Sequence, residues 1–138
     1  ILPGSGEYCL NQILSPFALA RNPTINRIPN LKVSHVSFVY GETDWIDSSA
    51  GLEVQKACES MNTQNGGSSA PEVEVHRVRN AGHLLMLENW EEFNSAAILS
   101  AGGSIDALHP NAPIPQKLVF EISQIDGSNY VIVEKSQS

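Results

Sequence analysis

The sequence predicts an α/β fold, the C-terminal part of a larger parallel-sheet domain, on three observations. Two short apolar runs, Val36 to Tyr40 and Val73 to Val78, read as buried strands. A helical stripe lies between them and another follows. Each strand gives way at once to a glycine-containing turn and a polar side chain, the place where open α/β sheets gather functional groups. Strand, helix, strand, helix in that order implies parallel strands joined by a right-handed crossover. The 138 residues, 41% of them hydrophobic, are enough for one small core.

Between Ser5 and Ala20, the residues Leu10, Ile13, Leu14 and Phe17 fall at i, i+3, i+4 and i+7, one face of a helix that Pro16 should bend or break. An ordinary buried face is one reading of these four. The other makes them the lining of an acyl-chain pocket, since such pockets are walled mainly by apolar side chains, and assigns residues 1–30 to the end of a cap or lid. Arg21-Asn-Pro23 and Ile28-Pro-Asn30 then read as turns.

Residues 31–101 carry the α/β pattern proper. Gly41 ends the first strand. Val54, Ala57, Cys58 and Met61 repeat the helical stripe over about Ser49 to Met61, and a polar loop rich in Gly and Ser runs from Asn62 to Pro71. In the second strand, Glu74 and Arg77, with Glu72 beside them, suit a position near the sheet edge. Asn80-Ala-Gly82 makes a turn. Asn89 followed three residues later by Glu92 signals a helix start, with Trp90, Phe93, Ala97 and Ile98 as its buried face.

Residues 102–138 differ. Gly102-Gly103 and the proline-rich stretch from His109 to Pro115 form a stiff connector, and Lys117 to Ser123 with Tyr130 to Lys135 can make a hairpin around Asp126-Gly127. Standing alone, such a hairpin is marginal in water.

Composition removes several function classes. A net charge of -7 with only eight Lys and Arg argues against nucleic acid, whose phosphates need clustered cations. Cys9 and Cys58 have no metal-ligand spacing and read as reduced and structural, so neither metal nor cofactor is implied. No apolar run reaches the roughly 18 to 20 residues that span a bilayer. The absence of an initiator methionine places the expected N-terminus, with any targeting signal, upstream.

Two segments carry chemistry. Phe38-Val-Tyr-Gly-Glu-Thr-Asp-Trp45 and Ala81-Gly-His-Leu84 put Asp44 and His83 just past the strands, in the order of the acid and base of a Ser-Asp-His triad. An imidazole takes a proton, and a carboxylate fixes its tautomer and stabilises the imidazolium. Asp47 is the alternative acid, although it also stands where it can cap the following helix. Among the histidines, His35 and His76 lie in or beside strands and His109 precedes the connector, which leaves His83 on the loop best able to aim a side chain. No Gly-x-Ser-x-Gly elbow is present, so no nucleophile accompanies the pair. Trp45 and Trp90 read as packing residues.

Taken together, Gly4-Ser-Gly-Glu-Tyr8, Ser15-Pro-Phe17, Ala20-Arg-Asn-Pro23, Arg27-Ile28, Phe38 through Asp47, and Ala81-Gly-His83 through Glu91-Glu-Phe-Asn94 resemble a lipid-acting subgroup of α/β-hydrolases. That subgroup holds N-acyl-phospholipid and lysophospholipid hydrolases, cardiolipin deacylases and the lipid-droplet lipase co-activator. The resemblance implies the C-terminal part of an α/β-hydrolase fold: the last parallel strands, crossover helices and the end of the cap. It also implies a serine hydrolase acting on glycerophospholipid acyl esters, with His83 as base and Asp44 or Asp47 as acid. The partners it implies are a phospholipid or lysophospholipid substrate and a peripheral membrane or lipid-droplet surface, in an intracellular setting such as mitochondria. Two alternatives accompany it, a non-catalytic lipase co-activator and a lysophospholipid acyltransferase. Some members carry a His-x4-Asp motif proposed for acyl transfer, and the matching stretch here is His83-Leu-Leu-Met-Leu-Glu88, with Glu as the acid. The fragment alone, lacking a nucleophile and leaving strand edges unpaired, is expected to be inactive and poorly soluble.

Overall fold

A computed structural model describes residues 7–105, 111–125 and 129–136. The first helix is shorter than its apolar stripe. α1 covers Glu7–Ile13, and the chain then forms two-residue strands β1 (Leu14–Ser15) and β2 (Leu19–Ala20), paired antiparallel around a tight turn. Pro16 explains the break: its ring pushes the preceding residue out of the helical region, and Ser15 is extended at φ -87° and ψ 169°. Phe17 sits at the tip with φ 68° and is 96% exposed.

β3 (His35–Gly41) and β4 (Glu72–Val78) pair in parallel, His35 opposite Glu72 through Gly41 opposite Val78. The helix between them, α2, runs from Ser49 to Gln64. Period-two alternation divides the strands' side chains between two faces. On one face Val36, Phe38 and Val73 meet Val54 and Cys58 of α2 and Ile28 from the preceding turn. Ala81 and Val78, with Val39, meet Leu85 and Phe93 beyond β4, so helices lie on both sides of the sheet.

After Ala81 the chain makes one helical turn, α3 (Leu85–Glu88), and a longer helix, α4 (Trp90–Ser100). Asn89 caps α4, its side-chain oxygen accepting the Glu92 N–H at 3.3 Å. The buried face is turned from the expected one. Glu92, Ser95 and Ala96 are buried, whereas Trp90 is 58% exposed and Ala97 is exposed. The reason is electrostatic: the Glu92 carboxylate is drawn inward by Arg79, whose Nε donates to both of its oxygens at 3.1 and 3.3 Å, and by Asn89 Nδ2 at 3.1 Å.

The C-terminal hairpin is not isolated. β5 (Gln116–Ile125) and β6 (Asn129–Ser136) pair antiparallel, and β5 also pairs antiparallel with β4, giving the strand order β3-β4-β5-β6. β4 is therefore an inner strand, contrary to the edge position expected from its charges. Leu118 of β5 is fully buried against Leu52 of α2 and Val75 of β4. The charges of β4 are partnered instead of solvated: Lys117 of β5 hydrogen-bonds Glu74, and Arg77 Nη2 donates to Ser48 Oγ at 3.1 Å. Asp126-Gly127 and His109 lie outside the described residues.

Candidate functional site

The site forms where β3 and β4 end side by side. Gly41 closes β3 against the turn after β4 so tightly that a Cβ there would lie 2.2 Å from the Gly82 carbonyl oxygen and 2.5 Å from that of Ala81. Glycine is required by close approach. Three hydrogen bonds stitch the two loops: Glu42 N–H to Val78 O at 2.9 Å, Thr43 N–H to Ala81 O at 2.9 Å, and Asn80 N–H to Glu42 Oε2 at 2.7 Å. Asn80 takes φ 50° to make the turn, a conformation asparagine tolerates better than most residues.

This stitching brings Asp44 and His83 together. His83 Nδ1 stands 3.3 Å from Asp44 Oδ2, and the other carboxylate oxygen accepts the Ile46 N–H at 3.0 Å. The Ile46 amide, with the histidine beside it, holds the Asp44 carboxyl below its usual range against a smaller opposing effect of burial. Asp44 is thus ionised at neutral pH, as a carboxylate that orients an imidazole must be. The Asp44 side chain is 4% exposed and the His83 ring 55%, so the acid is covered while the base faces outward. Trp45 lies beside the ring, centroids 5.4 Å apart.

Asp47 is occupied elsewhere. Its Oδ1 accepts the Ser49 N–H at 2.9 Å, and hydrogen bonds from Ser49 hold its carboxyl below the usual range. It therefore serves the first turn of α2, while Asp44 makes the contact with His83. His35 and His76 sit on the strands, around Glu74: His35 Nε2 is 2.7 Å from Ser37 Oγ, and His76 Nε2 is 3.3 Å from Glu74 Oε2. His76 is 3% exposed, and burial pushes its pKa down more than Glu74 raises it. No group of three or more His, Cys, Asp and Glu among the described residues could hold a metal.

The four apolar residues of the first segment line neither of two cavities formed by the described residues. Leu10, Ile13 and Phe17 are 49%, 58% and 96% exposed and Leu14 is half-buried. Those two cavities have other walls. One of about 260 Å³ is bounded by Ile25, Ile28, Phe38, Tyr40 and Val54, and one of about 160 Å³ by Trp90, Ile98, Ile105 and Pro113. Neither contains His83. Apolar periodicity marks a face but not what covers it. Cys9 and Cys58 are free thiols, the second buried, and no helix among the described residues is long and apolar enough to cross a membrane.

Sequence reasoning passed over one contact. Glu88 Oε2 accepts the Gly82 N–H at 2.7 Å, folding the end of α3 back onto the residue before His83. The spacing His83-x4-Glu88 was the signal.

Comparison with known proteins corrects the family reading. The chain is 33% identical over 94 residues to a 1-acylglycerol-3-phosphate O-acyltransferase of Arabidopsis thaliana, covering 68% of this chain and 20% of the relative. A probable enzyme of the same name in Oryza sativa subsp. japonica is 29% identical over 92 residues, 67% of this chain and 19% of the relative. One in Saccharomyces cerevisiae is 37% identical over 81 residues, 58% of this chain and 18% of the relative. The chain thus spans about a fifth of the length of these relatives. No family model matches it, and no solved structure does. These relatives are named as transferases. That overturns the resemblance to lipid-acting α/β-hydrolases, and with it the assignment of carboxylic ester hydrolysis and of a serine hydrolase.

Proposed function

We propose that the chain forms the base-bearing part of a longer glycerolipid acyltransferase, which moves an acyl group onto the free hydroxyl of a lysophospholipid of the 1-acylglycerol-3-phosphate class. The observation that carries this reading is the Asp44–His83 pair, 3.3 Å apart beyond the ends of two parallel strands, in a chain whose relatives are named for that transfer. As to architecture, we take the chain to be the terminal portion of an open α/β domain.

In this reading Asp44 accepts the Nδ1–H of His83, which leaves Nε2 free to accept a proton. Nε2 removes the proton of the acceptor hydroxyl as its oxygen attacks the carbonyl carbon of an acyl thioester. The tetrahedral intermediate collapses, the C–S bond breaks, and the departing thiolate takes the proton from the imidazolium. A new ester and a free thiol result, with no net change in the enzyme. The exposed ring edge suits a base that must reach a separately bound lipid. Hydrolysis by a serine nucleophile is not required, since the acceptor hydroxyl is itself the nucleophile.

The test uses the protein at the length of its relatives, incubated with acyl-CoA and 1-acylglycerol-3-phosphate, with phosphatidate measured by mass spectrometry. His83→Ala should lower turnover by about 100-fold or more, the usual contribution of a general base. Asp44→Asn should lower it as well, while Asp47→Asn should leave the His83-dependent rate in place. Wild-type protein that makes no phosphatidate, or a His83→Ala variant at full speed, defeats the proposal.

A further inference from the structure

We infer that Glu88 is a positioning residue for His83, acting as a hydrogen-bond acceptor for the Gly82 N–H and not as a proton carrier. Its relevance to chemistry rests on the acyl-transfer reading, but its geometry does not.

His83 has little of its own to hold it. Its ring is more than half exposed, and beside the Asp44 contact it leans on Trp45, itself 81% exposed. The backbone on either side must therefore supply the aim. Upstream, the Ala81 carbonyl is fixed by the Thr43 N–H, and Gly41 lets the two loops touch. Downstream, the single turn of α3 is closed by Leu87 and Glu88 N–H groups donating to Leu84 O at 2.7 and 3.0 Å. Between these anchors the chain turns about the φ and ψ of Gly82, and glycine has more rotational freedom there than any other residue would. The Glu88 carboxylate limits that freedom by tying the end of α3 to the Ala81–Gly82 peptide, whose N–H it accepts at 2.7 Å while Thr43 holds the same peptide's carbonyl, so that residues 82–88 close into a loop around His83.

The bond goes to the backbone one residue before the histidine, whereas the ring itself is met by Asp44 from the other loop. An acceptor oxygen is all this role needs. Glutamine supplies one in the same place without a titratable proton, and alanine supplies none.

Trp45 makes the position of His83 observable without turnover. An imidazole in contact with an indole quenches its emission, so the brightness of Trp45 at a fixed pH reports how closely the His83 ring stays beside it. The variants are built in the 138-residue chain carrying Trp90→Phe, which leaves Trp45 as the sole indole of the two. His83→Ala should abolish this quench. Glu88→Gln should keep most of its amplitude, and Glu88→Ala should reduce it about two-fold or more with an unchanged far-UV spectrum, since one charged hydrogen bond biases the loop by that much or more. If Glu88→Ala does not fold, Glu88→Met, which keeps the methylenes but accepts no N–H bond, is read in its place. Equal amplitude in wild type and the acceptor-less variant overturns the inference. So does a Glu88→Gln amplitude as low as that of the acceptor-less variant, because charge and not acceptance would then be what matters. The readout is ring position, so its failure is distinct from a failure to make phosphatidate.

Discussion

Replacing Leu118 with alanine should destabilise the chain by about 3 kcal/mol, with a plausible ceiling of about 5. Leu118 is on β5 and fully buried, wedged between Leu52 of α2 and Val75 of β4 with Phe38 and Tyr40 at its flanks. The substitution removes three carbons, worth about 0.8 kcal/mol each in transfer free energy, or about 2.4 kcal/mol. Neighbours on three different elements cannot all collapse into the gap, and the residual cavity supplies the rest. Against a total stability of roughly 5 to 15 kcal/mol, that is a large share.

The assay is urea denaturation followed by far-UV circular dichroism. At the slopes of roughly 1 to 3 kcal/mol per molar usual for small domains, the midpoint should fall by about 1 to 3 M with the slope unchanged. Ile114→Ala is the control: that side chain is 68% exposed, and its loss should stay within about 0.5 kcal/mol. A Leu118→Ala midpoint no different from that control would show that β5 does not close the core, and the four-stranded sheet would have to be given up.

Gly41→Ala should cost about 2 kcal/mol or more, because its Cβ would collide with the Ala81 and Gly82 carbonyl oxygens, whereas Gly67→Ala, with nothing within 4 Å, should be neutral or slightly stabilising; equal melting temperatures would refute the close approach. Arg79→Ala should cost about 2 to 3 kcal/mol, less than a fully buried pair would, because Glu92 is 2% exposed but the arginine side chain is 51% exposed; a loss below about 0.5 kcal/mol in the same urea assay would count against it. His76 has a folded pKa lowered below 6.5, chiefly by burial, so the unfolded chain binds the proton first as pH falls. Its contribution is complete above about pH 6.5 and declines below it, and replacing it with leucine should shrink the fall in urea midpoint between about pH 7.5 and 5.5; an undiminished fall would place the acid sensitivity elsewhere. Glu74 lies lower on the same axis. Burial pushes its carboxyl up but Lys117 more than offsets this, so the stability it adds is lost as pH falls through its depressed value, below the usual 4.5.

Features set by local chemistry were legible in the sequence. The stripe of Val54 and Cys58 marked α2, Pro16 marked the end of α1, and Asn89 with Glu92 marked the start of α4, because periodicity, ring sterics and capping act within a few residues. Features set by distant partners were not. Glu74 and Arg77 looked like edge-strand charges, but Lys117, 43 residues on, and Ser48, 29 residues back, made an inner position tolerable. Glu92 read only as part of a helix-start signal, and its burial depends on Arg79, which draws it inward from 13 residues back. Asp44 was the preferred acid and Asp47 the alternative, and the path of the loop is what takes the first to His83 and the second to Ser49.

That path depends on the sheet more than on the pair. A histidine ring that is 55% exposed gains little from a contact at 3.3 Å, because solvent competes for it even though the carboxylate is covered. What makes the meeting reproducible is the parallel register, which sets Gly41 opposite Val78 so that β3 and β4 end level. Asp44 follows the first strand by three residues and His83 follows the second by five, and the Thr43 and Glu42 bonds to Ala81 and Val78 convert that level ending into a fixed separation. A slip of one residue in either strand would turn Val36 and Phe38, or Val73 and Val75, away from α2, at the cost of most of one core cluster. The apolar faces thus hold the two strands in register, and the register holds the acid against the base. It follows that core substitutions on β3 and β4 should disturb the Asp44–His83 contact even though none of them touches it.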